Sequence, residues 1–245
     1  MVMDITFLGS GDALGSGGRF QACLAIRAGP DHLLLDCGAS SLIAMRRFGT
    51  DPTAVDAVIV SHLHGDHFGG IPFLVLAGQF GRRTRPLRIA GPPGVEARVR
   101  AAMEVLFPGS STAERRFALE FVELHPGRET RIGTVAVTPY EVVHPSGAPA
   151  LALRLSAGAR VLAYSGDTAW TETLLDVARD ADLFVCEAYF YEKSVRYHLD
   201  YRTLAAHRDR LGCRRLVLTH MSEDMLARLP LPGVEWAEDG QVVSL

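Results

Sequence analysis

The sequence predicts an α+β fold in which two mixed sheets pack face to face with helices outside. Three observations lead there. Apolar runs of strand length recur from one end of the chain to the other. The first of them follow one another without a helical stretch between, which does not fit the strict strand–helix alternation of a doubly wound sheet. Helical patterns then lie between the later runs, so helices have sheet faces to cover.

In chain order the strand-like runs are Ile5–Leu8, Leu24–Ile26, Leu33–Leu35, Val55–Val60, Leu87–Ala90, Phe117–Val122, Val135–Val137, Leu151–Leu155, Val161–Tyr164, Leu183–Cys186 and Leu216–Leu218. Helical spacing predicts helices at about Ser40–Phe48, Gly70–Phe80, Val95–Leu106, Thr171–Ala178, Tyr201–Leu211 and Glu223–Leu229. No internal repeat, low-complexity tract or linker rich in Pro, Gly or Ser interrupts the series, so Met1–Leu245 reads as one domain. A chain of 245 residues is long enough for one large core.

Composition narrows the function. Charged residues make up 22% and the net charge is −3, so no general excess of positive charge draws in a polyanion. The local cluster Arg82, Arg83, Arg85 and Arg88 reads first as a solvated loop and strand edge, with phosphate contact as the alternative. The N-terminal segment lacks a basic start and a long apolar run, and no stretch of 18 apolar residues exists, so neither a signal peptide nor a membrane span is expected. Cys23, Cys37, Cys186 and Cys213 are scattered among apolar neighbours without a C-x-x-C pair; reduced, buried thiols of a cytoplasmic protein are expected, not a cysteine-bound structural zinc.

Chemistry concentrates in Ser61-His62-Leu63-His64-Gly65-Asp66-His67-Phe68-Gly69-Gly70, which follows a buried strand-like run and precedes an apolar helix. Imidazole and carboxylate suit zinc, iron or manganese, and the lack of thiolate argues against copper(I) or an iron–sulfur cluster. One tetrahedral site cannot easily use all four groups, since adjacent Asp66 and His67 point differently from His62 and His64. Two ions can. Further His and Asp residues sit just after other strand-like runs: His144, Asp167 and His220. Strand ends carry sites on a rigid frame. His32, His125 and His207 fall outside the pattern and read as surface residues.

The H-x-H-x-D-H segment resembles the signature of the metallo-β-lactamase superfamily, and the rest of that pattern can be matched in order along nearly the whole chain. The resemblance implies a four-layer αββα sandwich binding two divalent metal ions, zinc first, with manganese or iron as alternatives. It assigns His62, His64 and His144 to one ion, Asp66, His67 and His220 to the other, and Asp167 as the bridge. Asp36, in Leu33–Gly38, resembles an early aspartate behind the ligands; a loop aspartate accepting backbone N–H bonds is an equal account. A carboxylate bridge holds two ions roughly 3.5–4 Å apart, with a hydroxide between them that is nucleophilic near neutral pH. Penicillin-hydrolysing relatives usually lack this bridge, so β-lactam hydrolysis is not expected.

Phe184–Phe190 followed by Tyr197-His198-Leu199-Asp200 resembles the paired Glu-Ala-Thr and His-x-Thr elements of the ribonuclease Z and phosphodiesterase branch, as does Phe7–Asp12. The likeness implies catalytic roles for Asp66, His198 and Glu187, with His198 reaching the scissile phosphate and Glu187 orienting it. Tyr189 and Asp200 stand where that branch has threonines. Ribonuclease Z proper inserts a long arm that grips tRNA between its third and fourth motifs, and here only 22 residues separate His144 from Asp167. Poor affinity for folded tRNA follows. The expected substrate is a small phosphodiester, such as a cyclic nucleotide or cyclic ribose phosphate. The alternatives are tRNA 3′-end processing, or hydrolysis of a sulfate ester, thioester or lactone on the same fold. No membrane partner is expected, and the branch leaves room for a homodimer.

Overall fold

In the computed structural model, which describes residues 2–245, the first half of the chain runs β1 (Met3–Gly9), β2 (Cys23–Ala28), β3 (Asp31–Leu35), α1 (Ser41–Arg47), β4 (Ala57–Ile59), α2 (Gly65–Phe68), α3 (Ile71–Phe80), β5 (Leu87–Gly91), α4 (Val95–Leu106) and β6 (Leu119–Glu123). The second half runs β7 (Thr130–Ile132), β8 (Val135–Val142), β9 (Ala150–Ala157), β10 (Arg160–Tyr164), α5 (Thr173–Ala178), β11 (Leu183–Glu187), α6 (Tyr201–His207), β12 (Leu216–Thr219), α7 (Glu223–Leu226), β13 (Glu235–Trp236) and β14 (Val242–Ser244). Strands order as β14-β1-β2-β3-β4-β5-β6 in one sheet and β13-β12-β11-β10-β9-β8-β7 in the other. Each sheet has an antiparallel section that turns parallel, at β3–β4 in the first and β10–β11 in the second. This shared plan leaves no trace as a sequence repeat, because it lives in strand direction and not in residue identity.

Three apolar layers make the predicted sandwich. Met3, Ile5 and Phe7 of β1 meet Leu151, Leu153 and Leu155 of β9 and Val185 of β11 in a core between the sheets. Leu34 and Val58 pack outward on Met45, Leu74 and Val99 of the helices. Phe184 and Cys186 pack outward on Val177, Leu204 and Met225. Consecutive β11 residues are therefore buried on both faces, which is why Leu183–Cys186 reads as an unbroken apolar run. Fully burying one such large side chain contributes about 1.5–3 kcal/mol.

Boundaries shift where short or special elements escape periodicity. β7, β13 and β14 have two or three residues each and were not expected. β8 continues past Val137 through Pro139 to Val142. Pro139 is tolerated because β7 pairs only with Val135–Val137, leaving that side without a ladder to interrupt. The helix predicted to Leu211 ends at His207 and continues as a tighter turn over Arg208–Arg210, and the one predicted to Leu229 ends at Leu226. Among the described residues no helix is long and apolar enough to cross a membrane.

The arginine cluster dissolves into structural work. Arg83 is buried, and its guanidinium donates to the carbonyls of Thr53 (2.9 Å), Val55 (2.7 Å), Arg85 (2.7 Å) and Pro86 (2.6 Å). Arg85 pairs with Asp56, and Arg88 with Glu120 at 2.9 Å. The reading as loop and strand edge therefore holds, except that Arg83 is a buried clamp. All four cysteines are free thiols, three buried and Cys213 half-buried. The functionally important consequence of the topology is that β3, β4, β8, β10, β11 and β12 all end at one rim, where both sheets deliver their following loops.

Candidate metal centre

Each residue singled out by the motifs lies at that rim. His62 and His64 occupy the loop after β4, and the single-turn helix α2 carries Asp66 and His67. This loop must pass close to the one after β3. A Cβ on Gly38 would sit 2.3 Å from the carbonyl oxygen of Asp66, and one on Gly70 2.3 Å from that of Gly38, so neither position admits a side chain. His144 follows β8, Asp167 follows β10, and His220 follows β12.

These side chains converge in two groups, His62–His64–His144 and Asp66–His67–Asp167–His220, within each of which the candidate ligand atoms lie inside 4.8 Å of one another. In the first, His144 Nε2 is 3.0 Å from His64 Nδ1. In the second, His67 Nε2 is 3.3 Å from Asp66 Oδ2 and 3.2 Å from Asp167 Oδ1, and His220 Nε2 is 3.3 Å from Asp167 Oδ2. Asp167 Oδ2 also lies 3.7 Å from His62 Nε2 and 3.9 Å from His144 Nε2, so one carboxylate touches both groups. A tetrahedral ion with bonds of about 2.0–2.2 Å separates its ligand atoms by roughly 3.3–3.6 Å, which these spacings approach.

The other ring nitrogens decide which atoms face inward. His67 Nδ1 donates to Asp36 Oδ2 at 2.7 Å, His62 Nδ1 to Ser61 Oγ at 3.1 Å, and His144 Nδ1 to the Tyr197 carbonyl at 2.9 Å. With those tautomers each Nε2 carries its lone pair toward the cluster. His62 Nε2, His67 Nε2 and Asp167 Oδ1 are buried there without any hydrogen-bond partner. Buried polar atoms are ordinarily satisfied, so a cluster of unsatisfied lone pairs aimed at one another fits divalent cations and little else. Burial holds His62, His144 and His220 below the usual imidazole range, in the neutral form that ligates. Burial also opposes the charge on Asp66 and Asp167, but the surrounding histidines outweigh it and keep both carboxyls low. For His67 burial is outweighed in turn by Asp167, Asp36 and Asp66, which raise it well above its ordinary value. The pocket is short of positive charge.

Glu187, at the end of β11, and His198 sit beside the second group. His198 Nδ1 is 3.0 Å from Glu187 Oε2, and the other carboxylate oxygen accepts from the Thr168 backbone N–H. Burial pushes the Glu187 carboxyl up to about 8, and it is fully enclosed. Burial lowers His198, but the hydrogen bond and charge of Glu187 outweigh it and raise the imidazole. A ring nitrogen of His198 also falls within 4.8 Å of ligand atoms of His144 and Asp167.

The two departures from the expected threonines are now visible as geometry. Tyr189 lays its ring 4.7 Å from that of His198, forming a wall of the site. Asp200 caps α6, accepting from Thr203 N at 2.9 Å and Thr203 Oγ1 at 2.8 Å. His32 and His207 are half-buried and His125 exposed, all away from the cluster; His207 stacks on Trp170 at 4.0 Å. Sequence reasoning missed Ser61, Tyr164, Thr168 and Tyr197, which hold the ligands or their supports. Ser61 abuts His62 and was within sight; the other three act across contacts between loops that no local pattern encodes.

Comparisons with known proteins place the family and the fold. Residues 31–221 match the model of the β-lactamase superfamily domain. The chain is 30% identical over 282 aligned positions to a ribonuclease Z of Halorubrum lacusprofundi, covering 91% of this chain and 87% of that one. It is 28% identical over 278 positions to the ribonuclease Z of Methanosarcina acetivorans, covering 90% and 88%. Among solved structures, the metallo-β-lactamase fold protein YhfI of Bacillus subtilis superposes with a TM-score of 0.82 at 23% identity, covering 100% of this chain and 99% of the other. A diphosphatase of the PhnP family superposes with a TM-score of 0.81 at 19% identity, covering 100% and 98%.

Protein purified without chelator should hold close to two equivalents of divalent ion by atomic spectroscopy. Replacing His64 or Asp66 by Ala should remove one or both. Active protein with no metal would contradict the site.

Proposed function

Because the chain belongs to the β-lactamase superfamily, beside relatives named ribonuclease Z, we propose that this metal-dependent hydrolase is a binuclear phosphodiesterase acting on a small phosphodiester, carried on a single hydrolase domain. Two divalent ions, zinc by preference, would supply Lewis acidity for the phosphoryl oxygens and lower the pKa of a water to about 7. The residues fit that pair: His62, His64 and His144 for one, Asp66, His67 and His220 for the other, with Asp167 shared.

The observation that carries the reading is the Glu187–His198 pair at the edge of the cluster. Glu187 is held by Thr168 N–H and fixes the imidazole through Nδ1, which leaves Nε2 toward the centre. The hydrogen bond and charge of Glu187 favour the protonated ring, and a proton on Nε2 would be placed for the leaving oxygen of a diester. Tyr189 supports the ring from its side and narrows the access. Asp66 contributes charge at the centre as well as ligation, since its carboxylate stays ionised there.

A small substrate is favoured over a folded RNA. β9 and β10 form a hairpin joined by only two residues, so nothing projects between His144 and Asp167 where an arm would stand. The alignments to the ribonucleases Z run over 278 and 282 positions, longer than the 245 residues of this chain, so those relatives carry segments without counterpart here. Phosphate contacts supply much of the affinity for nucleic acid, and the short β9–β10 hairpin offers no inserted arm to make them. The relatives' name keeps tRNA 3′-end cleavage as the second reading, and assay decides between the two.

Bis-aryl phosphodiesters should be hydrolysed far faster than monoesters in a steady-state chromogenic assay, and precursor tRNA cleaved poorly. Accurate, efficient cleavage at the tRNA 3′ end would overturn the small-substrate reading. His198→Ala should retain both metals and its melting temperature while losing about 10²–10⁴-fold in kcat, with KM changed less. Glu187→Gln should show a milder loss. Turnover within threefold of the parent in His198→Ala would remove the main support for phosphodiester chemistry.

A further inference from the structure

Beside the metal centre runs a groove of about 420 Å³ that the hydrolytic residues do not fill. Val143, Ala169 and Trp170 line it together with Arg196, Tyr197 and His198. Ligand sites are typically ~300–1,000 Å³, so the space suits a small organic group. His198 belongs both to this groove and to the centre, so a substrate whose phosphoryl group meets His198 must extend the rest of itself along the groove or away into solvent.

Arg196 stands out there. It is exposed, and its guanidinium lies over the Tyr197 ring at 4.6 Å from the centroid. Among the described residues no carboxylate pairs with it, whereas Arg202 in the first turn of α6 is paired with Glu192 at 3.2 Å. Asp200, which also lines the groove, has both oxygens turned to Thr203. The segment is held by a hydrogen bond from His198 N to the Val195 carbonyl at 3.1 Å and by the left-handed backbone of Tyr197 at φ 72°. The turn thus fixes Arg196 two residues from His198. A guanidinium resting on an aromatic face keeps its in-plane N–H donors outward, the arrangement that matches a phosphate fork to fork. Lys193, the sole lysine of the chain, lies over Phe190 at 5.0 Å on the same segment and adds positive potential.

We infer that this groove receives the part of the substrate beyond the scissile phosphoryl group, and that Arg196 binds a second phosphate carried on it. The inference rests on the phosphodiesterase reading above and narrows its substrate to diesters with a further phosphoryl group. Arg196 acts on specificity and does not touch the reacting atoms.

The test compares thymidine 5′-phosphate with thymidine 3′,5′-bisphosphate by calorimetry on metal-loaded protein, and their 5′-p-nitrophenyl esters by turnover. The parent should bind the bisphosphate about tenfold more tightly, and show the same preference in KM for its ester. Arg196→Gln should bring that ratio near one, while Arg82→Gln, a distant change of equal charge, should leave it. Equal affinity of the parent for the two nucleotides, or a preference that survives Arg196→Gln, overturns the inference. If binding depends on Arg196 as stated but neither ester is hydrolysed, the groove stands and the diesterase reading falls.

Discussion

One carboxylate holds the two sheets and the candidate metal ligands in register. Asp36 is fully buried at the end of β3 and accepts four hydrogen bonds: Ser61 N at 2.7 Å, Ser61 Oγ at 2.8 Å, His67 Nδ1 at 2.7 Å and Tyr164 OH at 2.9 Å. Tyr164 ends β10 in the second sheet, so this contact crosses the sandwich. A buried carboxylate costs several kcal/mol unless it is hydrogen-bonded, and here Oδ1 accepts from Ser61 N and Oδ2 from the other three donors. It orients His67 directly and His62 through the Ser61 hydroxyl, so the tautomers of two ligands follow from one residue. The backbone at Asp36 is left-handed, φ 58°, a conformation aspartate tolerates better than most side chains.

Much of this was legible beforehand. The H-x-H-x-D-H spacing points to candidate ligands that the fold does bring together, because metal chemistry limits which residue types can stand so close. His144, Asp167 and His220 were readable only as an ordered set, since each alone is an ordinary residue after a strand. Asp36 was undecided between support for a ligand and a loop acceptor, and the structure makes it both, with Ser61 N–H and His67 sharing its oxygens. Tyr164 and Tyr197 were not legible. Their partners lie 128 and 53 positions away along the chain, and only the topology brings them together. The sheets were legible as layers because apolar periodicity encodes burial. β7, β13 and β14 were not, because two or three residues carry no period.

Charge explains why the centre and the groove differ. Asp66 and Asp167, with Asp36 behind them, concentrate carboxylates in a closed space, where cations would balance them. Arg196 and Lys193, on the segment leading to His198, instead sit exposed on aromatic rings. On the proposed reading an anionic substrate would meet exposed cations before it reached the metal site, while Arg83, Arg85 and Arg88 are spent on carbonyls and surface acids elsewhere.

The account depends most on Asp36 bracing a metal centre and not merely a loop. Asn fits the same left-handed backbone but cannot accept from His67 and Ser61 with the same charge. Chelator competition on Asp36→Asn, with folding followed by circular dichroism, tests this directly. The account predicts a folded protein that binds zinc about 10–100-fold more weakly than the parent. A folded variant with parental zinc affinity would contradict it.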